Sequence, residues 1–360
     1  MTAATLRYGL IGTGMMGLEH QRNLNALPGA TVVAAADTSP RSLDWARLTA
    51  DGRPLQTFAD HRALLEADLC DAYVVSTPNF THREVLEDVL GTGRAVLVEK
   101  PLCTTVRDAS WIRERALVYP SVLWVGLEYR YMPPVARAIE AAGSGSLGRV
   151  RLISIREHRH PFLAKVGDWN RFNRFSGGTL VEKCCHFFDL MRLIAGAAPV
   201  AVAAFGGQGV NHLDEDYGGE RPDVLDHAQV VVEFDNEVRA SLELCMFAEA
   251  TTSSEELAIV GEEGKAEAFL PSGEFRLGHR ADGWGAVDTR VVTDDRVLVE
   301  GFHHGASYLE HLDFAAAVRN GTRALVSAED GYWSVVMGVA AQRAITERRV
   351  VEIAEVLDAR

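Results

Sequence analysis

The sequence predicts an α/β fold in two parts, a doubly wound parallel sheet followed by an α/β domain with a mostly antiparallel sheet. Three observations predict this fold. Short apolar runs alternate with helix-like segments over the first 125 residues, and strand-like runs then follow one another directly. The length of 360 residues also suits about two domains. We therefore expect one domain over residues 1–126 and a second over residues 127–360.

The first part carries five short, nearly continuous apolar runs, as expected for parallel strands that are buried on both faces. They are Leu6–Ile11, Thr31–Ala36, Ala72–Ser76, Ala95–Val98 and Val122–Val125. The segments between them have the 3.6-residue apolar period of helices. These are Gly17–Ala26, Ser42–Ala50, His82–Leu90 and Val106–Val118.

The second part contains six strand-like runs separated by turn signals. They are Val150–Glu157, Val200–Phe205, Ala228–Phe234, Val238–Met246, Glu256–Val260 and Lys265–Phe269. Helical periodicity predicts three helices here, at Thr179–Ile194, Tyr308–Arg319 and Ala328–Thr346. Gly196 follows the first of them as a C-terminal signal.

The composition argues against several classes of function. Fifty Asp and Glu against 36 Lys and Arg give a net charge of −14, which disfavours a general nucleic-acid binder or a protein of anionic membranes. The five cysteines contain no CxxC pair, so we expect a reducing, cytoplasmic setting. The first apolar stretch leads directly into a glycine turn, and no run reaches about 18 apolar residues, so we expect neither a signal peptide nor a membrane span.

A glycine-rich turn joins the first predicted strand to the first predicted helix. Its sequence, Gly12-Thr13-Gly14-Met15-Met16-Gly17, has the GxGxxG spacing of dinucleotide sites in the required strand–turn–helix context. Asp37 ends the second strand twenty residues after Gly17, where an acid accepts hydrogen bonds from the adenosine ribose and repels a 2′-phosphate. We therefore predict a Rossmann domain that binds NAD, although Arg41 would weaken the discrimination against NADP.

Lys100 is the first candidate for proton transfer. It follows the predicted strand Ala95–Val98 within the motif Glu99-Lys100-Pro101, and ligands of α/β sheets bind at the carboxyl ends of such strands. A lysine beside a nicotinamide cation would lose its proton readily and could then accept one from an alcohol. A solvated lysine in a turn is the alternative.

The predicted helix Thr179–Ile194 carries a second candidate pair. Glu182 and His186 are four residues apart and would share one face of a continuous helix, with Asp189 near the same stripe as a structural residue. Histidine is the usual general base near neutral pH. Two alternatives stay open, a capping box formed by Thr179 and Glu182 and a buried structural histidine. The adjacent Cys184 and Cys185 lack ligand spacing, so we predict small buried side chains and no metal.

These motifs together resemble the glucose–fructose oxidoreductase/inositol dehydrogenase/MocA (Gfo/Idh/MocA) family over nearly the whole chain. The resemblance is carried by GTGMMG at 12–17, Asp37, STPNFTH at 76–82, EKP at 99–101, GGTLVEKCCHFFDL at 177–190 and the tail at 302–321. It implies a second domain with an open sheet, hydride transfer between a nicotinamide and a carbohydrate or polyol carbon, and a homodimer or homotetramer. It also implies that Lys100 and His186 are the catalytic lysine and histidine. The resemblance also implies a catalytic carboxylate at position 182. Many members have Asp there, whereas Glu182 places its carboxylate one methylene further from the backbone.

The resemblance also extends the predicted cofactor site to the ends of two further strands, although Pro78-Asn79 could instead form a simple turn. The predicted cofactor contacts are Gly12, Gly14, Met15, Met16, Gly17, Asp37, Arg41, Ser76, Thr77, Asn79, His82, Glu99 and Lys100.

A basic segment interrupts the acidic chain at residues 149–174. It holds seven Lys and Arg against two acids, a local charge of +5 where the rest of the chain has −19. Arginine binds carboxylate, phosphate or sulfonate in a bidentate manner, so the segment suggests a pocket for an anionic sugar. A solvated edge strand with an oligomer contact is the alternative. The candidate substrate contacts are Arg130, Tyr131, Arg156, His158, Arg159, Lys165, Trp169, Arg171 and His304.

Three functions follow from these features. The basic segment and the helix after it resemble NAD-dependent sulfoquinovosidases within the family, which implies transient C3 oxidation of a glycoside, elimination of the aglycone, addition of water and re-reduction. The second function is a plain NAD-dependent sugar or inositol dehydrogenase that uses Lys100 and His186. The third is a non-catalytic dinucleotide-binding sensor, which the presence of Lys100, Glu182 and His186 disfavours.

Overall fold

The structure is a computed structural model that describes residues 5–358. The chain forms two compact units. The first contains the described residues up to Glu128 together with Lys165–Trp169 and Asp295–Tyr332, and the second contains the remainder. Within the described range, no helix is long and apolar enough to cross a bilayer.

The first unit is built on a six-stranded sheet in the order β3-β2-β1-β4-β5-β6, and every neighbouring pair is parallel. Its strands are β1 (Leu6–Ile11), β2 (Ala30–Ala36), β3 (Gln56–Phe58), β4 (Ala72–Val75), β5 (Ala95–Glu99) and β6 (Leu123–Gly126). Every residue of β4, β5 and β6 is buried, which is why these strands read as continuous apolar runs. The predicted parallel sheet is confirmed.

The connecting helices of this sheet are α1 (Met15–Ala26), α2 (Pro40–Thr49), α3 (His61–Glu66), α4 (His82–Leu90) and α5 (Val106–Ala116). The short elements β3 and α3 were not predicted, because three half-exposed residues and a six-residue helix produce little periodicity.

The second unit is built on a nine-stranded sheet in the order β14-β13-β12-β11-β7-β10-β9-β8-β15. Its strands are β7 (Val150–His158), β8 (Pro199–Gly207), β9 (His227–Phe234), β10 (Arg239–Cys245), β11 (Glu255–Gly261), β12 (Gly264–Leu270), β13 (Glu274–His279), β14 (Asp288–Val291) and β15 (Val351–Glu352). All neighbouring pairs are antiparallel except β7 with β10. The mostly antiparallel sheet is therefore confirmed. Because β7 lies between β10 and β11, the alternative that the basic segment is an edge strand is wrong.

The helices after the first sheet are α6 (Pro133–Gly143), α7 (Asn173–Ser176), α8 (Thr179–Glu182), α9 (Cys185–Ala195), α10 (Ala306–Asn320), α11 (Ala328–Glu347) and α12 (Ile353–Asp358). Helix α6 packs on β11, β12 and β13, and α9 packs on β7. The side chains on the other face of this sheet include Leu152, Phe205 and Val231, which are exposed. Assembly through this sheet stays a prediction.

The helix predicted over Thr179–Ile194 is in fact two helices. The amide of Cys184 hydrogen-bonds to the carbonyl of Thr179, five residues back, so the α-helical register slips between α8 and α9. The spacing argument that placed Glu182 and His186 on one continuous face is therefore wrong. The capping box is wrong as well, because Thr179 Oγ1 donates to the carbonyl of Leu225 and the N-cap is Gly178.

Candidate active site

The glycine turn has the geometry of an anion cradle. Gly12 has φ of +90°, and a Cβ there would lie 2.7 Å from the Ser76 carbonyl. A Cβ on Gly17 would lie 2.2 Å from the Gly12 oxygen, whereas one on Gly14 would meet nothing within 4 Å. Helix α1 begins after Gly14 with no side-chain cap and no acid in its first turn. Its amides and dipole therefore favour a phosphate approaching Gly14. Met15 and Met16 form the surface of this first turn.

Asp37 directly follows β2, and three hydrogen bonds hold its carboxylate in place. Its Oδ2 accepts from the Thr13 amide at 2.7 Å and from Thr13 Oγ1 at 3.1 Å, and its Oδ1 accepts from the Ser39 amide at 2.8 Å. The carboxylate is half-buried, which leaves it accessible to ribose hydroxyls. Arg41 lies with its guanidinium 4.8 Å from the centre of the Trp45 ring. These residues fit a bound NAD.

Replacement of Asp37 by Asn is expected to weaken NAD binding by about 10- to 100-fold, since hydrogen bonds to a charged group contribute about 1.5–3 kcal/mol. Loss of the negative charge also removes the repulsion of a 2′-phosphate, so the preference for NAD over NADP should narrow. Titration of both dinucleotides by calorimetry measures this, with Asp44→Asn on the exposed face of α2 as the control. Unchanged affinities in Asp37→Asn would show that this carboxylate does not contact the ribose.

Two of the predicted cofactor contacts, His82 and Ser76, bond to backbone carbonyls of the loops that follow β1, β4 and β5. His82 is buried, with Nδ1 2.9 Å from the carbonyl oxygen of Pro101 and Nε2 3.0 Å from that of Thr77. Burial lowers the pKa of this imidazole. Ser76 Oγ donates to the Gly12 carbonyl at 2.8 Å. His82 therefore holds the loops after β4 and β5 together, and Ser76 supports the glycine turn. Contacts of Ser76, Thr77, Asn79 and His82 with the dinucleotide stay predictions.

Lys100 directly follows β5, and a buried network fixes its backbone. Glu99 Oε2 accepts from the Lys100 amide at 3.0 Å, and Glu99 Oε1 lies 2.8 Å from His20 Nε2. His20 Nδ1 in turn lies 2.9 Å from His311 Nε2. Burial alone would raise the pKa of Glu99, but the hydrogen bond from His20 and the nearby charges of His20 and Lys100 hold it below its ordinary value. Glu99 therefore positions Lys100, and its contact with the cofactor stays a prediction.

His186 lies in the first turn of α9 and is buried. Its ring stacks on Tyr129 with 4.0 Å between centroids and 9° between planes. Glu182 is buried in the preceding turn. Asp189 forms a bidentate ion pair with Arg130, whose Nε donates at 2.6 Å. Asp189 is thus structural, as predicted, and Arg130 uses this edge of its guanidinium within the fold, not for a substrate.

Sequence reasoning missed three residues beside His186. Lys183 is buried between α8 and α9, and its Nζ donates to Tyr129 Oη at 2.5 Å and pairs with Glu157 Oε1 at 2.9 Å. One signal could have found Glu157, which follows Ile153 and Ile155 at period two and so points to the same buried face. No signal in the sequence singles out Lys183 or Tyr129.

In the basic segment, six of the seven Lys and Arg pair with carboxylates. The pairs are Arg149 and Arg151 with Glu237, Arg151 also with Glu262, Arg156 with Glu256, Arg159 with Glu157, Arg171 with Glu215 and Arg174 with Glu220. His158 pairs with Glu243 at 3.1 Å, and Lys165 Nζ lies 4.7 Å from the centre of the Trp169 ring. These contacts neutralise the segment locally and remove its support for an anionic substrate. Contacts of Tyr131 and His304 with a substrate stay predictions.

The carboxylate that pairs with Arg171 makes stability sensitive to acid. Burial opposes the shift, but hydrogen bonds from His212, Tyr217 and Arg171 lower the pKa of Glu215 to about 2. A carboxylate whose folded pKa is depressed stabilises the fold above its unfolded pKa and loses that contribution as pH falls through the folded value. The contribution is therefore present above about pH 4.5 and fades towards pH 2.

The variant Glu215→Gln is expected to lose roughly 1 kcal/mol at neutral pH, a figure that allows for solvent screening of this partly exposed group. Its thermal midpoint should then change less than that of the unmodified protein between pH 4.5 and pH 2. Thermal unfolding across this range measures the difference, with Glu233→Gln, whose more exposed carboxylate pairs with Arg239, as the control. Parallel pH curves for Glu215→Gln and the unmodified protein would contradict this account.

Among the described residues, no group of three or more His, Cys, Asp or Glu could hold a metal ion. Cys184 and Cys185 are fully buried, in agreement with their prediction as small packed side chains. Burial raises the pKa of the Cys184 thiol well above its ordinary value, which keeps the sulfur neutral.

Comparison with known families covers both parts of the chain. The family model described as the NAD-binding Rossmann fold of an oxidoreductase family matches residues 6–127, and the model for the C-terminal alpha/beta domain of the same family matches residues 139–353. The chain belongs to the Gfo/Idh/MocA oxidoreductase family. The predicted family, fold class and NAD cofactor are thereby confirmed.

Several individual proteins are similar to this Gfo/Idh/MocA member. Inositol 2-dehydrogenase of Rhizobium meliloti (strain 1021) is 26% identical over 97% of this chain and 100% of its own length. The scyllo-inositol 2-dehydrogenase (NAD(+)) of Bacillus subtilis (strain 168) is 25% identical over 93% of each chain. Levoglucosan dehydrogenase, solved with NADH and levoglucosan, superposes with a TM-score of 0.85 at 21% identity, covering 97% of this chain and 99% of its own, which shows the shared fold.

Proposed function

We propose that this chain is an NAD-dependent dehydrogenase that oxidises a secondary hydroxyl of a cyclic polyol or sugar. The observation that carries the proposal is Lys100, whose backbone Glu99 holds at the end of β5, in a chain similar to inositol 2-dehydrogenases over almost its entire length. The family match makes the chain an NAD-dependent oxidoreductase, and these relatives favour a polyol or sugar as the substrate class.

Oxidation of a carbinol to a ketone removes one hydride and one proton. The nicotinamide of bound NAD supplies the hydride acceptor. Lys100 supplies the proton acceptor, because its neutral amine has a lone pair and its backbone is fixed by a hydrogen bond to Glu99 Oε2. The buried chain from Glu99 through His20 to His311 limits movement of the turn that carries Lys100.

His186 supplies a second group that can hold or move the hydroxyl proton. Its ring is fixed by stacking on Tyr129, so the imidazole presents its nitrogens in one orientation. Glu182, in the preceding short helix, is proposed to assist by orienting a substrate hydroxyl. The longer Glu side chain replaces the Asp that many family members carry at this position.

The proposal is tested by incubating the protein with NAD and a panel of inositols, neutral hexoses and anhydrosugars while following NADH absorbance. We expect steady NADH formation with at least one member of the panel and slower formation with NADP. Activity with none of these compounds, alongside intact NAD binding, would refute the dehydrogenase and favour the sensor.

The redox-neutral cleavage of sulfoquinovosides is the narrower proposal, and it has less support. This hypothesis needs cationic side chains that bind the sulfonate. In the structure the candidate cations are paired with glutamates, such as Arg156 with Glu256 and Arg171 with Glu215. Release of the aglycone from a chromogenic sulfoquinovoside with catalytic NAD, without accumulation of NADH, would establish it in place of the plain dehydrogenase.

A further inference from the structure

Lys183 is a buried cation next to the proposed catalytic histidine. It occupies the break between α8 and α9, three residues before His186, and both its neighbours in the sequence are buried. Burial of an ammonium is unfavourable unless charge and hydrogen-bond partners compensate it. Glu157 on β7 provides the compensating carboxylate at 2.9 Å. That single ion pair accounts for the charge of Lys183 but does not account for its second bond.

The second bond of Lys183 leads to the histidine. Its Nζ donates to Tyr129 Oη at 2.5 Å, and the same nitrogen lies 4.8 Å from the centre of the Tyr129 ring. The Tyr129 ring lies flat on the His186 ring, 9° from parallel. Phe187 packs against the Tyr129 ring edge-on, at 5.6 Å between centroids. The phenol is thus fixed at its hydroxyl by Lys183 and at its edge by Phe187.

We propose that Lys183 is a positioning residue for His186, which it orients by anchoring Tyr129 against the imidazole. The order of contacts is Glu157 to Lys183, Lys183 to Tyr129 Oη, and the Tyr129 ring to the His186 ring. Arg159 Nη1 lies 3.4 Å from the same Glu157 oxygen, so the carboxylate is oriented from two sides. This inference rests on the proposed function of His186. Lys183 and Tyr129 would affect the reaction only through the orientation of His186.

A purely structural role for Lys183 makes a different prediction. If the lysine only compensated Glu157, its removal would lower stability and leave the orientation of His186 unchanged. Tyr129→Phe separates the two roles, because it keeps the ring and the pair between Lys183 and Glu157 and removes only the hydroxyl that Lys183 holds. The variant therefore reports on the anchor without exposing an uncompensated buried carboxylate.

The test compares Lys183→Met, Tyr129→Phe and the double variant, with Lys265→Met on an exposed ion pair as the matched lysine control. Steady-state kinetics use the substrate found in the NADH assay. Proton–carbon NMR follows the Cε1–H resonance of His186, assigned by its absence in His186→Asn. The NMR measurement is made on the full chain with NAD and needs no turnover.

We expect each single variant to lower kcat by up to about 100-fold with little change in KM, as a displaced catalytic group does. The double variant should be no worse than the more affected single variant, because both changes break one chain of contacts. The His186 resonance should move downfield in all three, because the aromatic ring at position 129 shifts off the imidazole and shields it less, and it should stay in place in Lys265→Met. An unshifted resonance in Lys183→Met and Tyr129→Phe, or effects on kcat that multiply in the double variant, would overturn the inference. Full activity of His186→Asn would instead refute the proposed role of His186, whatever the resonance shows.

Discussion

Lys100→Met lowers kcat by about 100- to 10,000-fold, the loss expected when a general base is removed. Methionine keeps an unbranched apolar stem of similar length but has no group that accepts a proton. The hydrogen bond to Glu99 Oε2 comes from the backbone amide of residue 100 and survives the substitution. The turn should therefore keep its conformation, and NAD affinity should stay close to that of the unmodified protein.

Rapid-quench kinetics and a binding titration on the same preparation separate these two effects. Lys265→Met removes an exposed lysine on β12 and should behave like the unmodified protein in both assays. If Lys100→Met keeps more than about a tenth of kcat, proton transfer of this kind does not depend on Lys100, because general-base catalysis contributes at least about 100-fold.

Gly17→Ala abolishes high-affinity NAD binding and destabilises the first unit. The new Cβ would lie 2.2 Å from the Gly12 carbonyl oxygen and 3.1 Å from Ser76 Oγ. A backbone carbonyl cannot move aside as a flexible side chain does, so either α1 shifts away from β1 or the turn opens. Overpacking of this kind costs about 1–3 kcal/mol, and the displaced amides no longer converge on a phosphate.

Two further glycine variants show whether this effect comes from the cradle. Gly14→Ala places its Cβ where the structure has nothing within 4 Å and keeps an ordinary φ of −71°, so it should fold normally and weaken NAD binding. Gly143→Ala at the end of α6 also meets nothing within 4 Å and should change neither property. Thermal unfolding and NAD titration of the three variants measure both. Normal NAD affinity in Gly17→Ala would contradict the role assigned to the turn.

The first unit follows from the sequence because its signals are local. A parallel strand buried on both faces produces an apolar run such as Ala95–Val98. The six residues of the glycine turn predict the junction of β1 and α1. The acid at the end of β2 is also found by counting from the turn. These features depend on neighbours in the chain, so they could be predicted without knowing the fold.

Several features of the second unit could not be predicted from neighbouring residues in the sequence. The basic segment looked like an anion site because its partners lie far away in sequence, as with Arg156 and Glu256, which are paired across β7 and β11. Charge counted over a window cannot show such a pair. A hydrogen bond that spans five residues marks the break between α8 and α9, and a periodicity argument assumes that no such slip occurs.

Lys183 is the clearest case of a site residue that required the structure. In the sequence it is a lone lysine between two buried segments, and nothing near it indicates a partner. Its contacts come from β7 and from the turn that carries Tyr129, 26 and 54 residues away, as the pairs with Glu157 and Tyr129 show. The identity of His186 could be predicted from its motif, whereas the ring that orients it could not.

The most direct test of the proposed function is the amount of NADH formed per protein subunit when NAD and a neutral polyol or sugar are both in large excess. A dehydrogenase that releases its reduced cofactor predicts NADH in many-fold excess over subunits, rising in step with the ketone formed. NADH that never exceeds one equivalent per subunit, while a glycoside continues to lose its aglycone, would contradict the proposal.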